Sequence, residues 1–318
     1  MNAPNRPNLP NRPNFPERVV LMGAGVDAIT PAAMLERAAV WAAARRRSIV
    51  ANHNAHSLSL VRRTPAMQAI YDRADLIEID SVPLIFWGRL LGEKVSRNHR
   101  CNYLDFRGAF WSMAAGRRFR VFHLGCRPGV GEAAREAIVA RHPGVTLDVR
   151  DGFFDPQGPE NAAVLDQIAA FDPHILLVGM GMPRQELWIM DNLERLPGCV
   201  IFPIGAAFDY EAGVIATPPR WAARLGLEWL ARLIDEPGRL AHRYLIEPWS
   251  LLPLAAGDVA ARLGRVRRRF APASNPDDKA QASLRKDTRF AICSPPVIEI
   301  VKPAESPPPG GEQPATGL

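Results

Sequence analysis

The chain has 318 residues, 47% of them hydrophobic, and a formal net charge of +6. That is long and apolar enough for a large buried core, in one big domain or two small ones. No apolar run reaches the roughly 18 residues a bilayer-spanning helix needs, and the N-terminus lacks a signal-peptide pattern, so any membrane role must be peripheral. The mild basic excess suits an anionic partner without choosing among phosphates, a membrane surface and nucleic acid. Cys101, Cys126, Cys199 and Cys293 form no CxxC pair, which excludes a disulfide scaffold or zinc ribbon and suits free thiols in a reducing cytosol.

Residues 1–17 are rich in Pro and Asn, with Pro at every third position from Pro4 to Pro16. Such a segment favours extended conformations and builds no core, so a disordered leader is expected. From 18 to 217 short apolar runs alternate with helical patterns. Strands are expected at 19–22, 48–51, 76–79, 120–124, 145–149, 175–178 and 200–203. Helices are expected at 31–45, 66–73, 104–115, 130–141, 160–170 and 184–195. This alternation predicts an α/β fold, a mostly parallel Rossmann-like sheet with helices on both faces. Ligands in such sheets bind at the carboxyl ends of the strands, so each strand end is read in turn.

After the second expected strand come Asn52, His53, Asn54 and His56, suited to sugar hydroxyls or a base edge. The His53/His56 spacing resembles a metal pair, but no nearby carboxylate completes a ligand set. Asn54 also suits a helix N-cap. After the third strand stands Asp80, placed to take a proton from an attacking hydroxyl or, equally, to cap the next helix. The basic stretch 94–100 offers Arg97, His99 and Arg100 to phosphate oxygens, or is a solvated loop. After the fourth strand, Gly125, Pro128 and Gly129 precede a helix, an arrangement that can hold a diphosphate. It is neither a P-loop nor a full dinucleotide fingerprint, and Gly23-Ala24-Gly25 is weaker still. After the sixth strand, Gly179 and Gly181 permit close ligand approach, Pro183 can start a helix, and Gln185 can read a uracil edge or sugar hydroxyls. Glu186 suits the first helical turn. After the seventh, Phe208 or Tyr210 can stack on a base and Asp209 can bind a hydroxyl, although Phe208 also reads as core.

Residues 218–269 form a helical, arginine-rich C-terminal appendage. Arg220 and Arg224 are four apart, Trp221, Leu225 and Trp229 make a stripe, and Arg232, Arg239 and Arg243 add charge. A basic amphipathic helix with tryptophans suits an anionic lipid interface, and equally an ordinary packed helix pair. From 270 to 318 periodicity is lost and a disordered tail is expected.

Together and in order, these residues resemble the WecG/TagA/CpsF glycosyltransferase family. The resemblance rests on Asn54, the run from Ala74 to Asp80, residues 87–92, Arg100 with Asp105, and residues 124–130. It continues through 179–189, 205–209, Pro219-Arg220-Trp221, 226–230, Glu236-Pro237 and Arg243-Tyr244. The Gly-x-Gly-x-Pro-x-Gln-Glu block and the Gly-Leu-Glu-Trp-Leu block are the most specific.

The resemblance implies an inverting, metal-independent transfer in surface-polysaccharide (exopolysaccharide) biosynthesis. The donor is a UDP-sugar of the N-acetylmannosamine type or related, and the acceptor is a polyprenyl-diphosphate-linked sugar. Asp80 is the implied general base; Asn54, Arg100 and Gln185 line the active site. No cofactor and no divalent metal is expected, arginine stabilising the departing diphosphate instead. The appendage is implied to dock on the membrane, placing the protein in the cytoplasm, peripheral on the inner face. The chain departs from the family at Asn52 (commonly Thr), at Ser81 (commonly Gly) and at Asn102-Tyr103-Leu104. These positions border the sugar site and bear on donor and acceptor choice. The alternatives are a nucleotide-sugar oxidoreductase or epimerase, which would need a complete dinucleotide fingerprint, and a non-enzymatic lipid-binding scaffold. Nucleic acid is not an expected partner. The sequence is compatible with a homo-oligomer.

Overall fold

The computed structural model describes residues 16–219, 222 and 226–270, except the side chains of 235, 239 and 265–270. The leader before residue 16, Arg220, Trp221, Arg224, Leu225, the side chain of Arg239 and the tail beyond 270 lie outside the described residues.

Six parallel strands form the central sheet: β3 (Ser48–His53), β4 (Leu76–Ile79), β5 (Arg120–Gly125), β6 (Thr146–Arg150), β7 (Ile175–Gly179) and β8 (Val200–Pro203). Their order is β4-β3-β8-β7-β5-β6. Strands β4, β7 and β8 are buried throughout because both faces are covered, whereas edge strand β6 alternates. Alternate residues serve different cores. Ile49, Ile77, Leu124, Val178 and Ile201 face one core, whereas Val50, Leu76, Val121, Leu177 and Val200 face the other.

The first core is closed by α2 (Ala55–Arg63), α3 (Gln68–Arg73), α4 (Val82–Leu90), α7 (Pro159–Phe171) and α8 (Arg184–Asn192). The second is closed by α1 (Pro31–Ala43), α5 (Tyr103–Gly116), α6 (Val130–Arg141) and α9 (Ala207–Glu211). Trp188 anchors the first and Trp111 the second, 2% and 1% exposed. Burying a side chain of that size contributes roughly 1.5–3 kcal/mol.

Six of the seven expected strands lie in this sheet. The other, β1 (Arg18–Leu21), pairs antiparallel with β2 (Ala24–Asp27) in a separate hairpin. The Gly23-Ala24-Gly25 segment is therefore the turn and second strand of that hairpin, and no phosphate cradle. Asp27 is 1% exposed; its carboxylate takes two bonds from Arg18, at 2.7 and 2.6 Å, and one from the Ile77 N–H on edge strand β4 at 2.8 Å.

Beyond residue 226 the chain continues as α10 (Glu228–Asp235), α11 (Pro237–Ala241), a π-helical turn (His242–Ile246), a 3₁₀ segment (Glu247–Leu251) and α12 (Leu252–Phe270). Residues up to Arg265 cluster as one compact unit; a second begins at Val266, of which only the end of α12 is described. Three polar anchors hold the helices down. Glu228 meets Arg100 at 2.7 Å. Glu247 accepts from Arg63 and lies against His56, both at 2.6 Å. Asp258 accepts from the Met22 N–H at 2.6 Å and from Trp87 Nε1 at 2.9 Å.

Candidate active site

The chain leaves β3 toward β4 at one edge, while β8 beside β3 is reached from the opposite side of the sheet. A crevice opens outside the strand ends where such directions diverge. Two cavities lie there, of about 400 and about 460 Å³. The first, the more polar of the two, runs from the loops after β7 and β8 to the start of α5, including Asn52, Glu78, Gly181, Gln185, Gly205 and Tyr210. The second is largely apolar, with Met22, Pro83, Leu84, Trp87, Trp229 and Leu252 in its wall. Asn54, His56, Asp80, Asn102, Arg232, Arg243 and Tyr244 belong to both.

Asp80 stands where the two spaces meet. Its Oδ1 accepts from Asn102 Nδ2 at 2.7 Å and its Oδ2 from Asn54 Nδ2 at 3.0 Å, while its own N–H donates to the His53 carbonyl at 3.0 Å. One amide per oxygen fixes the plane of the carboxylate and leaves each oxygen lone pairs for a further donor. Asp80 does not cap α4; Ser81 holds that position, without a side-chain cap bond. Asn54 caps α2 as its sequence suggests, accepting from the Ser57 N–H at 3.0 Å, so the cap that starts the helix also orients the amide on Asp80.

Gln185 is fully buried. Its Oε1 accepts from the Gly181 and Gly205 N–H groups at 3.1 and 3.2 Å, tying together the two loops that edge the polar cavity. Its Nε2 donates to Glu186 at 2.8 Å. Glu186 is 1% exposed and lines neither cavity; burial pushes its carboxyl up to about 7.

Several candidates sit elsewhere. Arg100 lines neither cavity; it is buried between Asp105 at 3.1 Å and Glu228 at 2.7 Å, fastening α10 to the sheet. Arg97 and His99, in a 3₁₀ turn beside it, line neither cavity either. Nor do Gly125, Pro128, Gly129, Gly179, Pro183, Phe208 or Asp209. Gly125 and Gly179 are small for packing reasons. A Cβ on Gly125 would run into the Gly179 backbone, and one on Gly179 would lie 2.7 Å from the Gly205 carbonyl oxygen. Phe208 is core, stacked on the buried His123 ring at 3.5 Å, whereas Tyr210 reaches the polar cavity with the Arg232 guanidinium 5.2 Å from its ring centre.

Arg232 and Arg243 turn into the cavities. Each has a buried Nε with no hydrogen-bond partner among the described residues. The outer surfaces of the C-terminal helices instead expose Ile234, Leu245, Ile246, Trp249 and Leu252. No helix of the described residues is long and apolar enough to cross a membrane, and no group of three or more His, Cys, Asp or Glu side chains among them could hold a metal ion.

Sequence reasoning assigned no role to Glu78, Glu236, Tyr244 or Glu247, all of which line the polar cavity. For Glu78 a signal existed: a charge inside an apolar strand, two residues before Asp80. The other three are brought in only by the path of the C-terminal helices.

Comparison with known proteins points to one family. The model of the glycosyl transferase WecG/TagA/CpsF family matches residues 19–265. A Staphylococcus aureus (strain MRSA252) N-acetylglucosaminyldiphosphoundecaprenol N-acetyl-beta-D-mannosaminyltransferase is 26% identical over 229 residues, 69% of this chain and 85% of that protein. A Bacillus spizizenii protein of the same description is 27% identical over 177 residues, 56% of this chain and 67% of its own length.

Proposed function

The chain belongs to the WecG/TagA/CpsF glycosyltransferase family, and on that footing we propose that it moves a hexosyl group, with inversion, from a UDP-sugar to a sugar hydroxyl on a polyprenyl diphosphate. The observation that carries this reading is the position of Asp80, shared by a polar and an apolar cavity and held by two amides. The polar cavity takes the nucleotide sugar; the apolar one takes the isoprenoid side of the acceptor.

In the reaction the acceptor oxygen attacks the anomeric carbon from the face opposite the diphosphate. Its proton passes to Asp80, the new C–O bond forms as the bond to the diphosphate breaks, and UDP departs with the electron pair. A positioned carboxylate of this kind is worth roughly 10²–10⁴ in rate. Arg232 and Arg243, which line both cavities and each hold a buried Nε without a partner among the described residues, stabilise the charge gathering on the leaving diphosphate. Those two arginines therefore serve the reacting groups, and no metal is needed in that role.

Docking on an anionic membrane surface falls to the exposed apolar side chains of the C-terminal helices. Ile234 and Trp249 are 71% and 70% exposed, and such residues settle at the boundary between head groups and acyl chains. The assignment of Arg220, Arg224 and Arg239 to lipid phosphates rests on the sequence alone, since these side chains lie outside the described residues. The protein then works from the cytoplasmic side, where nucleotide sugars are made.

The test is transfer itself. Purified protein is incubated with a panel of UDP-hexoses and a polyprenyl-diphosphate-linked N-acetylglucosamine in vesicles, and the lipid product is weighed by mass spectrometry. One hexose added to the lipid, with UDP released in equal amount, is the expected result; no transfer from any UDP-sugar overturns the reading.

A further inference from the structure

Asn52 on β3 and Glu78 on β4 are paired in register as parallel neighbours. Two residues earlier on each strand, Val50 and Leu76 pack into the core beneath α1 and α5. With the two-residue period of a strand, Asn52 and Glu78 therefore point to that same face. Both line the polar cavity.

Each presents a polar atom with nothing to bond. Asn52 Nδ2 donates to the Pro203 carbonyl at 2.9 Å, which settles the orientation of the amide and turns Oδ1 away from that carbonyl. Asn52 Oδ1 and Glu78 Oε2 are both buried, without a hydrogen-bond partner among the described residues. Glu78 is only 6% exposed. An unmatched buried polar group is costly, so two of them side by side in a cavity wall mark a place completed by a ligand.

The chemistry of the pair narrows the ligand. Burial, and then the nearby charge of Asp80, push the Glu78 carboxyl well above the usual carboxylate range. That favours the protonated carboxyl, which can donate a hydrogen bond. Asn52 Oδ1 can only accept. Adjacent strands lie about 4.8 Å apart, so one oxygen placed between the two side chains can reach both. That oxygen must donate and accept together, as an alcohol does. Asp80 follows Glu78 by two residues, on the order of 7 Å along the chain, which sets the alcohol within one sugar ring of the reacting centre.

We propose that Asn52 and Glu78 form a specificity subsite that reads one ring hydroxyl of the transferred hexose. The inference rests on the function proposed above and adds to it two residues that select among donors. The donor rather than the acceptor sugar is favoured because this cavity also holds the loops after β7 and β8.

The experiment compares wild type, Glu78→Met, Asn52→Leu and Glu78→Gln. The probes are UDP-hexoses and their monodeoxy analogues, one ring position at a time, with kcat/KM for transfer and UDP affinity by calorimetry as readouts. For wild type, loss of one particular hydroxyl is expected to lower kcat/KM about 10- to 100-fold, the range for leaving buried polar groups unmatched. Glu78→Met and Asn52→Leu are expected to shrink that factor below about threefold at that position alone, with UDP affinity retained. Glu78→Gln, which keeps one donor and one acceptor, is expected to restore most of the discrimination. Equal losses across all analogues, or unchanged discrimination in both apolar variants, overturn the subsite. Absence of transfer by wild type from every UDP-sugar overturns the parent function instead. If an apolar variant fails to bind UDP, the Glu78→Gln comparison decides, since a purely structural role predicts no hydroxyl-specific effect.

Discussion

Asn102 Nδ2 lies 2.7 Å from Asp80 Oδ1, a bond made across 22 residues of chain. With Asn54 on the other oxygen, it fixes the direction in which the carboxylate can receive a proton. Asp80→Ala is expected to cut transfer by roughly 10²–10⁴ while UDP affinity stays within about twofold. Asn102→Ala, which frees one edge of the carboxylate, is expected to lower kcat about tenfold with little change in KM. Steady-state kinetics beside calorimetry checks both, and full activity in Asp80→Ala removes it as the base.

The Arg100 ion pairs tie the C-terminal helices to the sheet. The Arg100 side chain is 8% exposed, that of Glu228 16% and that of Asp105 34%. Arg100→Met leaves buried charge without a partner, a change that costs about 3–5 kcal/mol when fully buried and less here, because Asp105 is partly solvated. A loss of about 2–3 kcal/mol in urea unfolding is expected, with faster proteolysis between α10 and α12. The double variant Arg100→Met/Glu228→Gln is expected to regain part of it.

Gly125 has φ +154° and no room for a Cβ against Gly179. Gly125→Ala must push apart the ends of two central strands. A destabilisation above about 3 kcal/mol is expected, in the range of core overpacking combined with backbone strain. Gly129→Ala meets no neighbouring atom but also sits at positive φ, 82°, and is expected to cost only about 1 kcal/mol. Melting curves of the two variants separate these costs.

Two buried histidines are expected to weaken the fold in mild acid, against two buried carboxyls, Glu78 and Glu186, whose upward shifts act in the opposite sense. Burial lowers both His53 and His123 from 6.5 to about 3, with Arg18 adding to the effect at His53. Between those values the unfolded chain binds protons that the folded protein does not. Their contribution is thus complete above pH 6.5 and is lost as the pH drops below it, by up to about 1.4 kcal/mol per pH unit for each ring. Urea unfolding between pH 7.5 and 5 is expected to show a smaller loss of stability toward acid in His123→Phe, which keeps an aromatic ring against Phe208, than in the wild type.

Membrane docking by the C-terminal helices predicts that Ile234→Ser/Trp249→Ser weakens binding to vesicles containing anionic lipid by about tenfold or more. Both side chains are mostly exposed, so the melting temperature is expected to stay within a degree or two. Unchanged vesicle binding would move the docking surface elsewhere.

Much of the sheet was legible because buried parallel strands are short apolar runs and their helices have a different period. The missed strand β2 contains glycine and ends on a buried aspartate, which reads as a turn. Helices α2 and α4 are nine residues each, too short for a 3.6-residue period to stand out. The strand-end positions of Asp80 and Asn54 were legible, whereas the surroundings of Arg100 were not: a conspicuous arginine in a basic loop says nothing of a glutamate 128 residues away that buries it. Glycine is ambiguous for a related reason. Gly125 and Gly179 open space for each other, and sequence does not distinguish room for a neighbouring strand from room for a ligand.

The Arg18–Asp27 hairpin has a consequence for how this protein is handled. Strand β4 ends the sheet, and the Asp27 carboxylate occupies the Ile77 N–H on that strand. Cutting the chain back past Asp27 would bare this N–H beside a row of apolar side chains, which is the kind of edge that recruits a strand from a second molecule. A shortened version prepared to remove the proline-rich start should therefore keep Arg18, or it will yield sticky, intermolecularly paired material instead of a cleaner enzyme.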